Sequence, residues 1–310
     1  MDTILKKFSI IWIIFTLFFS IPAGFSATKA KPKKVTDANS VLQQGREAFL
    51  NYNFEEAADH YDTYRSLKTK AKQPFDENFE VWEAQLDVAL NAFDKVQKIV
   101  VVDSITVPAS SFYKSYKLAQ SAGEIAPSNT FKLKGVANSG EIGFLNEWKD
   151  YLITVSPNED GDLRLIENRK LLDGSWESHE ILEGNFEKSG DYTFPFMSGD
   201  GQTLYFANNG DESMGGFDLF VAQKEPLTDV VLQPLNLGMP FNSPYDDFMM
   251  AIDEENGLGW WATNRNSEDG NEITIYVYRL DAVRKNYPSD TPDLVKFARL
   301  DDYKATQKND

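Results

Sequence analysis

Two neighbouring β-strands are predicted by the segments Ser198-Gly-Asp-Gly-Gln-Thr-Leu-Tyr-Phe-Ala-Asn-Asn209 and Gly215-Gly-Phe-Asp-Leu-Phe-Val221. In both, turn residues precede a short run of apolar and aromatic residues, which is typical of strands in an antiparallel sheet. Asp200-Gly201 predicts a hairpin turn of the class in which both central residues have positive φ. Gly215 and Gly216 allow the backbone to enter the second strand where a side chain would clash, and Asp218 follows them in that strand.

The same pattern occurs three times within residues 140–287. Equivalent positions are Ile153, Tyr205 and Trp260, which are 52 and then 55 positions apart. Each is followed by a polar, glycine-bearing loop and a second alternating strand. Paired strands at a period of about 50 residues are typical of the four-stranded blades of a β-propeller. The aligned segments are Asp150-Tyr-Leu-Ile-Thr-Val-Ser156, Gln202-Thr-Leu-Tyr-Phe-Ala-Asn208 and Gly257-Leu-Gly-Trp-Trp-Ala-Thr263.

The repeats differ in their turns and leave the sheet stack open. Asn256-Gly257 predicts the tight turn again in the third copy, whereas the first copy has Glu147-Trp148-Lys149 and is expected to turn differently. Three copies are too few for a closed propeller of this kind, although strands within 99–133 and near 295–300 could add a fourth. Otherwise the end faces need a cover, either the helical region or a second copy of the chain in a homodimer.

A helical period precedes the repeats. Gly45, Ala57 and Tyr61 have the spacing at which a tetratricopeptide repeat places its small and aromatic packing residues. A further apolar stripe from Phe79 to Val96 predicts a helix that packs on this hairpin, because one repeat cannot bury its own face. We therefore expect a tetratricopeptide-like domain at 31–98, a connector at 99–139, propeller repeats at 140–287 and a tail at 288–310.

Residues 1–30 have the layout of a secretory signal peptide, with Lys6 and Lys7 before an apolar run from Phe8 to Phe19. Cleavage near Ala27 or Ala30 would leave a mature chain without a membrane span, since the run is short for a bilayer. We expect a periplasmic or outer-membrane-associated protein, and an uncleaved anchor is the alternative. The absence of cysteine excludes a lipid-modified N-terminal Cys, disulfides and thiolate metal sites.

The chain is strongly acidic. Lys and Arg total 31 against 48 Asp and Glu, a formal charge of −17. Nucleic acid and anionic lipid surfaces require a basic face, so no nucleic-acid partner is expected. A basic partner, or simple solubility, fits this charge better.

The second copy resembles a known family. Ser198 to Asn209 with Gly215 to Val221 resembles the WD40-like repeat of TolB-type β-propellers. The segment Asn236-Leu-Gly-Met-Pro-Phe-Asn-Ser-Pro-Tyr-Asp-Asp247 resembles the connection between blades in envelope proteins that join tetratricopeptide and propeller modules. The resemblance covers roughly half of the chain and implies a scaffold or partner-binding role in the cell envelope, including accessory roles in outer-membrane or secretion assemblies.

No motif for catalysis is present in the sequence. There is no Gly-x-Ser-x-Gly elbow, and His60 and His179 are the only histidines. Asn158 and the acids after it alternate like calcium-loop ligands, but Leu163 stands where such a loop needs glycine. We expect no catalytic residue, metal or cofactor. A propeller-type carbohydrate-active hydrolase is the alternative, because a pair of carboxylates could arise among the many acids.

Four residues of the third repeat are candidates for a partner surface. Trp260 and Trp261 point to opposite faces of one strand, so one belongs to the core and the other could stack against a partner or a neighbouring blade. Core or blade packing of both is the favoured interpretation, and a partner surface is the alternative. Asp246 and Asp247 are the acids of the segment before that strand. The sequence as a whole predicts an α+β fold, with tetratricopeptide-like helical hairpins followed by a partial antiparallel β-propeller, and an exported, non-catalytic scaffold that binds envelope proteins.

Overall fold

The computed structural model describes residues 37–133, 136, 140–181, 189–228, 230–267, 269–280, 283, 285–288 and 290–301. The expected signal peptide, the start of the expected helical domain and the last nine residues of the expected tail lie outside these residues.

Helices α1 (Ala38–Leu50) and α2 (Phe54–Ala71) form a hairpin, and α3 (Phe79–Phe93) packs on α2. The Asp37 side chain caps α1 by accepting a hydrogen bond from the backbone N–H of Ser40, at 3.3 Å. The hairpin crosses at Gly45, where a Cβ atom would come within 2.5 Å of the Tyr61 ring. Ala57 and Tyr61 are buried beside it. The small residue at position 45 is therefore what allows α1 and α2 to approach each other.

Within the described residues, the strands after the first three helices form three antiparallel sheets and one short pair. The first sheet has the order β3 (Glu124–Pro127), β4 (Ile142–Leu145), β5 (Tyr151–Pro157), β6 (Leu163–Lys170), β7 (Trp176–Glu180). The second is β8 (Tyr192–Met197), β9 (Thr203–Asn208), β10 (Asp218–Gln223), β11 (Leu235–Asn236). The third is β12 (Asp247–Asp253), β13 (Leu258–Thr263), β14 (Glu272–Arg279), with β2 (Val101–Pro108) at its edge. The short pair is β1 (Gln97–Lys98) with β15 (Lys285–Asn286).

The three sheets share one apolar core. Strand β8 packs between β4 and β12. These three strands, one from each sheet, therefore lie on the inside of the assembly. In β8 and β12 the register shifts at equivalent places, and Phe194 and Met249 there have φ of +52° and +54°. These bulges let Phe194 stack on Phe248 of the neighbouring strand, with ring centroids 4.6 Å apart. The second and third sheets therefore share a β-bulge at the same place, although these positions lie outside the aligned sequence segments.

The expected connector contributes one strand to the third sheet and one to the first. Strand β2 completes the third sheet by pairing with β14, and β3 extends the first sheet. Between them, 3₁₀ turns at Ala109–Ser115 and Gln120–Ala122 pack on the third sheet. Phe112 contacts the Phe248 ring at 5.3 Å, and the Tyr116 hydroxyl donates to the Met249 carbonyl at 2.7 Å. This segment packs against both β3 and β12 and so covers a face that the sequence assigned to the helical region or to a second chain.

The helices have a core of their own, which they share with the loops of the sheets. Met214, Met239, Leu294 and Ala298 are buried against α1, α2 and α3. The last two belong to helix α4 (Leu294–Arg299), which lies where a strand was predicted, and that prediction is wrong. The α+β class is confirmed, with three N-terminal helices followed by antiparallel sheets. Among the described residues, no helix is long and apolar enough to cross a membrane.

Candidate functional site

Three equivalent hairpin turns meet at one end of the sheets. In the second sheet the Gly201 N–H donates to the Ser198 carbonyl at 2.9 Å, and in the third the Gly257 N–H donates to Glu254 at 3.2 Å. Both glycines have φ of +66°, whereas the residue before each does not have positive φ. The turns are therefore type I turns followed by a left-handed glycine, and the prediction of two positive-φ central residues is wrong.

The first sheet makes the same turn without glycine. The Lys149 N–H donates to the Asn146 carbonyl at 3.1 Å, and Lys149 has φ of +57°. The prediction that this copy turns differently is therefore wrong. The Asn146 side chain holds the turn as well as its backbone. Its Oδ1 accepts hydrogen bonds from the N–H groups of Asp150 and Tyr151, at 3.1 and 3.0 Å. These bonds explain how a lysine adopts a conformation that usually selects glycine.

A cleft of about 740 Å³ lies between the three turns and the 3₁₀ turn that ends at Ala122. Buried side chains at the ends of the inner strands line its interior, among them Phe144, Met197 and Ile252. Trp148 stands at the rim with 75 % of its surface exposed. Three carboxylates also line the cleft, those of Glu147, Glu254 and Glu255.

The carboxylates of the cleft are differently placed. Glu255 accepts a hydrogen bond from the Ser121 hydroxyl at 2.6 Å, which ties the turn of the third sheet to the segment before the first sheet. Glu254 and Glu255 are exposed, whereas Glu147 is half-buried. Arg169 is the cationic side chain among the cleft residues, and it pairs with Glu167 behind the wall. The cleft therefore combines an apolar interior, an exposed indole and an acidic rim.

A buried charged cluster supports one wall of the cleft. Glu167 is fully buried and makes ion pairs with Arg169 and with Lys224, whose side chain is 4 % exposed. The Tyr151 hydroxyl donates to the same carboxylate at 3.2 Å. Because a buried ion pair needs several partners to offset desolvation, these contacts fix the positions of Tyr151 and Arg169 in the wall. Sequence reasoning missed this cluster, because β6 carries several charged residues and the sequence does not mark Glu167 as the buried one.

The glycine pair lies at the other end of the second sheet, in the loop between β9 and β10. Neither glycine has positive φ. A Cβ atom on Gly215 would lie 2.2 Å from the carbonyl oxygen of Tyr245, and one on Gly216 would lie 2.0 Å from Oδ1 of Asp246. Close packing thus explains the pair. Gly215 also accepts a hydrogen bond from the Gln85 amide of α3, so this loop contacts the helices.

Asp218 organises the same loop. Its carboxylate accepts hydrogen bonds from the N–H groups of Met214 and Gly215 at 3.0 and 3.3 Å, and from the Asn236 amide at 2.8 Å. Complete burial raises the pKa of Asp218 to about 8, against these three donors, which favour the ionised form. The neighbouring charge of Asp247 raises it further. Asp218 therefore stabilises this loop, and it is not among the residues that line the cleft.

The four candidates for a partner surface are not on a surface of that kind. Trp260 is 5 % exposed and packs on Tyr116, and Trp261 is fully buried beside Tyr276. Both faces of β13 are covered, so neither indole is free to stack on a partner. Asp247 is fully buried in an ion pair with Arg265.

Asp246 is half-buried and engaged on both sides. It accepts from the Phe217 N–H at 2.9 Å and from the Asn264 amide at 2.7 Å. Its carboxylate thus connects the residue before β10 to the loop after β13. The expectation of a partner surface at Trp260, Trp261, Asp246 and Asp247 is corrected accordingly.

No protein-family model matches this chain, and no curated protein matches its sequence significantly. Within the described residues, no group of three or more His, Asp or Glu side chains is arranged to hold a metal ion. Asn158, a candidate calcium ligand, instead accepts hydrogen bonds from the N–H groups of Asp160 and Asp162 in an ordinary turn.

Proposed function

We propose that this protein is an exported, non-catalytic interaction module of the bacterial cell envelope, accessory to an outer-membrane or secretion assembly. In this proposal the helical hairpin is a tetratricopeptide-like unit, and the three sheets are the blades of a partial β-propeller. The single observation that carries the proposal is the cleft between the three hairpin turns. It is concave, partly apolar and formed by the same turn of each repeat, as in sites that bind a segment of another molecule.

The chemistry of the cleft favours a basic protein segment. The rim presents Glu147, Glu254 and Glu255, and the whole chain has a formal charge of −17. Complementary charge raises association rates and disfavours acidic competitors. An exposed tryptophan binds the alkyl stem and the cationic head of lysine or arginine, and Trp148 has this exposure at the rim. A lysine- or arginine-bearing loop or tail of an envelope protein is the ligand that fits these groups.

The binding proposal is tested by site-specific photo-cross-linking in intact envelopes. A photoreactive phenylalanine analogue at Trp148 should form a specific cross-link to one partner protein. The same analogue at Leu172, which is fully exposed in the turn between β6 and β7, is the control. Charge reversal by Glu254→Lys with Glu255→Lys should abolish the cross-link from position 148. A cross-link that survives charge reversal, or the same products from position 172, would contradict a basic ligand in the cleft.

A carbohydrate-active hydrolase is the second candidate, because an indole and several carboxylates at one cleft are also what a glycan-cleaving site requires. Purified protein should be incubated with envelope glycans, and the Glu147→Gln, Glu254→Gln and Glu255→Gln variants should be compared with it. The interaction module predicts no turnover for any of the four proteins. Turnover that one of these isosteric changes abolishes, without loss of stability, would favour the hydrolase.

Export is tested separately. Mass spectrometry of the envelope fraction should find a mature N-terminus between Ser26 and Lys31, because Lys6, Lys7 and the apolar run precede this region. A cytoplasmic chain that begins at Met1 would refute export without affecting the argument for the cleft.

A further inference from the structure

The most cationic stretch of the chain stands directly before the helices. Residues 29–34 read Lys-Ala-Lys-Pro-Lys-Lys, and no other window of six residues carries four cations. No acidic residue occurs between Asp2 and Asp37. If export cleavage follows Ala30, the new amino terminus replaces the charge of Lys29. Residues 29–34, the basic segment, lie outside the described residues and are the most cationic part of an otherwise acidic protein.

The lining of the cleft carries negative charge that is not neutralised. Glu147, Glu254 and Glu255 form no ion pair with another described residue, and Arg169 on the wall is already paired with a buried glutamate. Glu254 faces the turn of the second sheet, since its Oε2 would lie 3.7 Å from a Cβ atom on Gly199. The three carboxylates therefore remain available to the cations of a ligand that enters the cleft.

The basic segment and the cleft lie at opposite ends of the molecule. The helices contact the sheets at the end away from the cleft, where Gln85 donates to the Gly215 carbonyl and Tyr245 donates to the Leu50 carbonyl. The seven residues of β5 alone span about 23 Å between the two ends.

This separation exceeds the reach of the lysines nearest α1. Lys34 and Lys31 stand three and six residues before Asp37, so even a fully extended chain carries them only about 10 and 20 Å from that cap. They therefore fall short of the cleft in their own chain. A cleft that receives these lysines belongs to another copy.

We propose that the basic segment of one copy binds in the cleft of a second copy, in a head-to-tail contact. The rim carboxylates pair with its lysines, and the exposed indole of Trp148 packs against one of them. The contact joins two different surfaces, so it leads to rings or open chains of molecules. This inference rests on the function proposed for the cleft, and it adds that the basic ligand is supplied by the protein itself.

The test is sedimentation velocity of the mature chain over a range of protein concentrations. At about 50 mM salt we expect species larger than the monomer, and at about 500 mM salt we expect them to dissociate, because exposed charge pairs are screened. A triple variant, Lys31→Gln with Lys33→Gln and Lys34→Gln, should stay monomeric at both salt concentrations. So should a double variant, Glu254→Gln with Glu255→Gln.

A mixture of the two variants tests the head-to-tail geometry. The triple variant keeps the cleft, and the double variant keeps the basic segment, so each mixed pair can form one contact. An equimolar mixture should therefore give a dimer of one copy of each variant and nothing larger. A contact that uses the same surface on both copies cannot give this result.

The matched control is Lys68→Gln with Lys70→Gln and Lys72→Gln, which removes the same charge from the C-terminal end of α2. It should associate as the unsubstituted chain does, and circular dichroism checks that all variants are folded. The proposal is overturned if the unsubstituted chain is monomeric at low salt, if the Lys31, Lys33 and Lys34 variant associates like the control, or if the mixture stays monomeric.

The function proposed for the cleft is judged by a different result. A cross-link from position 148 to another protein, together with a monomeric mature chain, would overturn the contact between copies and leave the basic-ligand function of the cleft intact.

Discussion

Gly215 provides the sharpest test of how the second sheet is joined to the rest of the protein. A Cβ atom there would lie 2.2 Å from the Tyr245 carbonyl oxygen and 2.6 Å from that of Ser243. Both atoms belong to the backbone, so neither can move aside as a side chain would. Overpacking of a close contact destabilises by about 1–3 kcal/mol, and the reduced freedom of the unfolded chain offsets this by about 0.4–1 kcal/mol.

We therefore expect Gly215→Ala to lower the free energy of unfolding by about 1–2 kcal/mol, or the melting temperature by roughly 2–8 °C. The matched control is Gly199→Ala, because a Cβ atom at Gly199 would have no neighbour nearer than 3.7 Å and the residue lacks positive φ. That substitution should leave the melting temperature nearly unchanged. Gly216→Ala should fall between them, since its nearest neighbour is the movable Asp246 carboxylate. Equal melting temperatures for Gly215→Ala and Gly199→Ala would refute this account of the loop.

Three further substitutions test other parts of the structure. Lys149→Gly should raise the free energy of unfolding by about 1 kcal/mol and so raise the melting temperature, because glycine adopts positive φ without strain. Gly201→Ala at the equivalent turn should lower the melting temperature. A decrease for Lys149→Gly would show that the lysine side chain stabilises the turn. Because burial raises the pKa of Asp218 to about 8, the folded state binds a proton that the unfolded state has released between pH 4 and 8. Stability should therefore fall as pH rises through this window, by at most about 1.4 kcal/mol per pH unit, and urea unfolding of Asp218→Asn should lack this component; parallel pH profiles would contradict it. Gly45→Ala should lower the melting temperature because the new methyl group meets the Tyr61 ring, and Gly45→Ala combined with Tyr61→Leu should recover part of the loss.

Local patterns in the sequence predicted the elements but not the way in which distant parts meet. The period of about 50 residues and the turn glycines predicted three sheets, and helical periodicity predicted the hairpin. Lys149 was missed because a left-handed conformation at a lysine depends on the hydrogen bonds of Asn146, which composition does not reveal. The cleft was missed for a similar reason, since its lining residues come from turns of three different repeats. The favoured interpretation of the two tryptophans, core or blade packing of both, is confirmed, and strand alternation alone could not exclude the partner surface because it does not show that both faces of β13 are covered.

The Thr106 and Thr274 hydroxyls, which lie 3.2 Å apart on β2 and β14, are separated by 168 positions of sequence. Strand β2, which is synthesised early, therefore cannot pair until β14, one of the last strands, has been synthesised. In an array in which every unit contacts only its neighbours, an end unit can unfold while the others remain folded. Pairing between β2 and β14 prevents the third sheet from unfolding separately. If this sheet opens, it also releases the segment that follows β2, which packs between the third sheet and the first sheet. We expect the sheets to unfold together in one cooperative transition, and to fold slowly, because the loop must close before this pairing stabilises it.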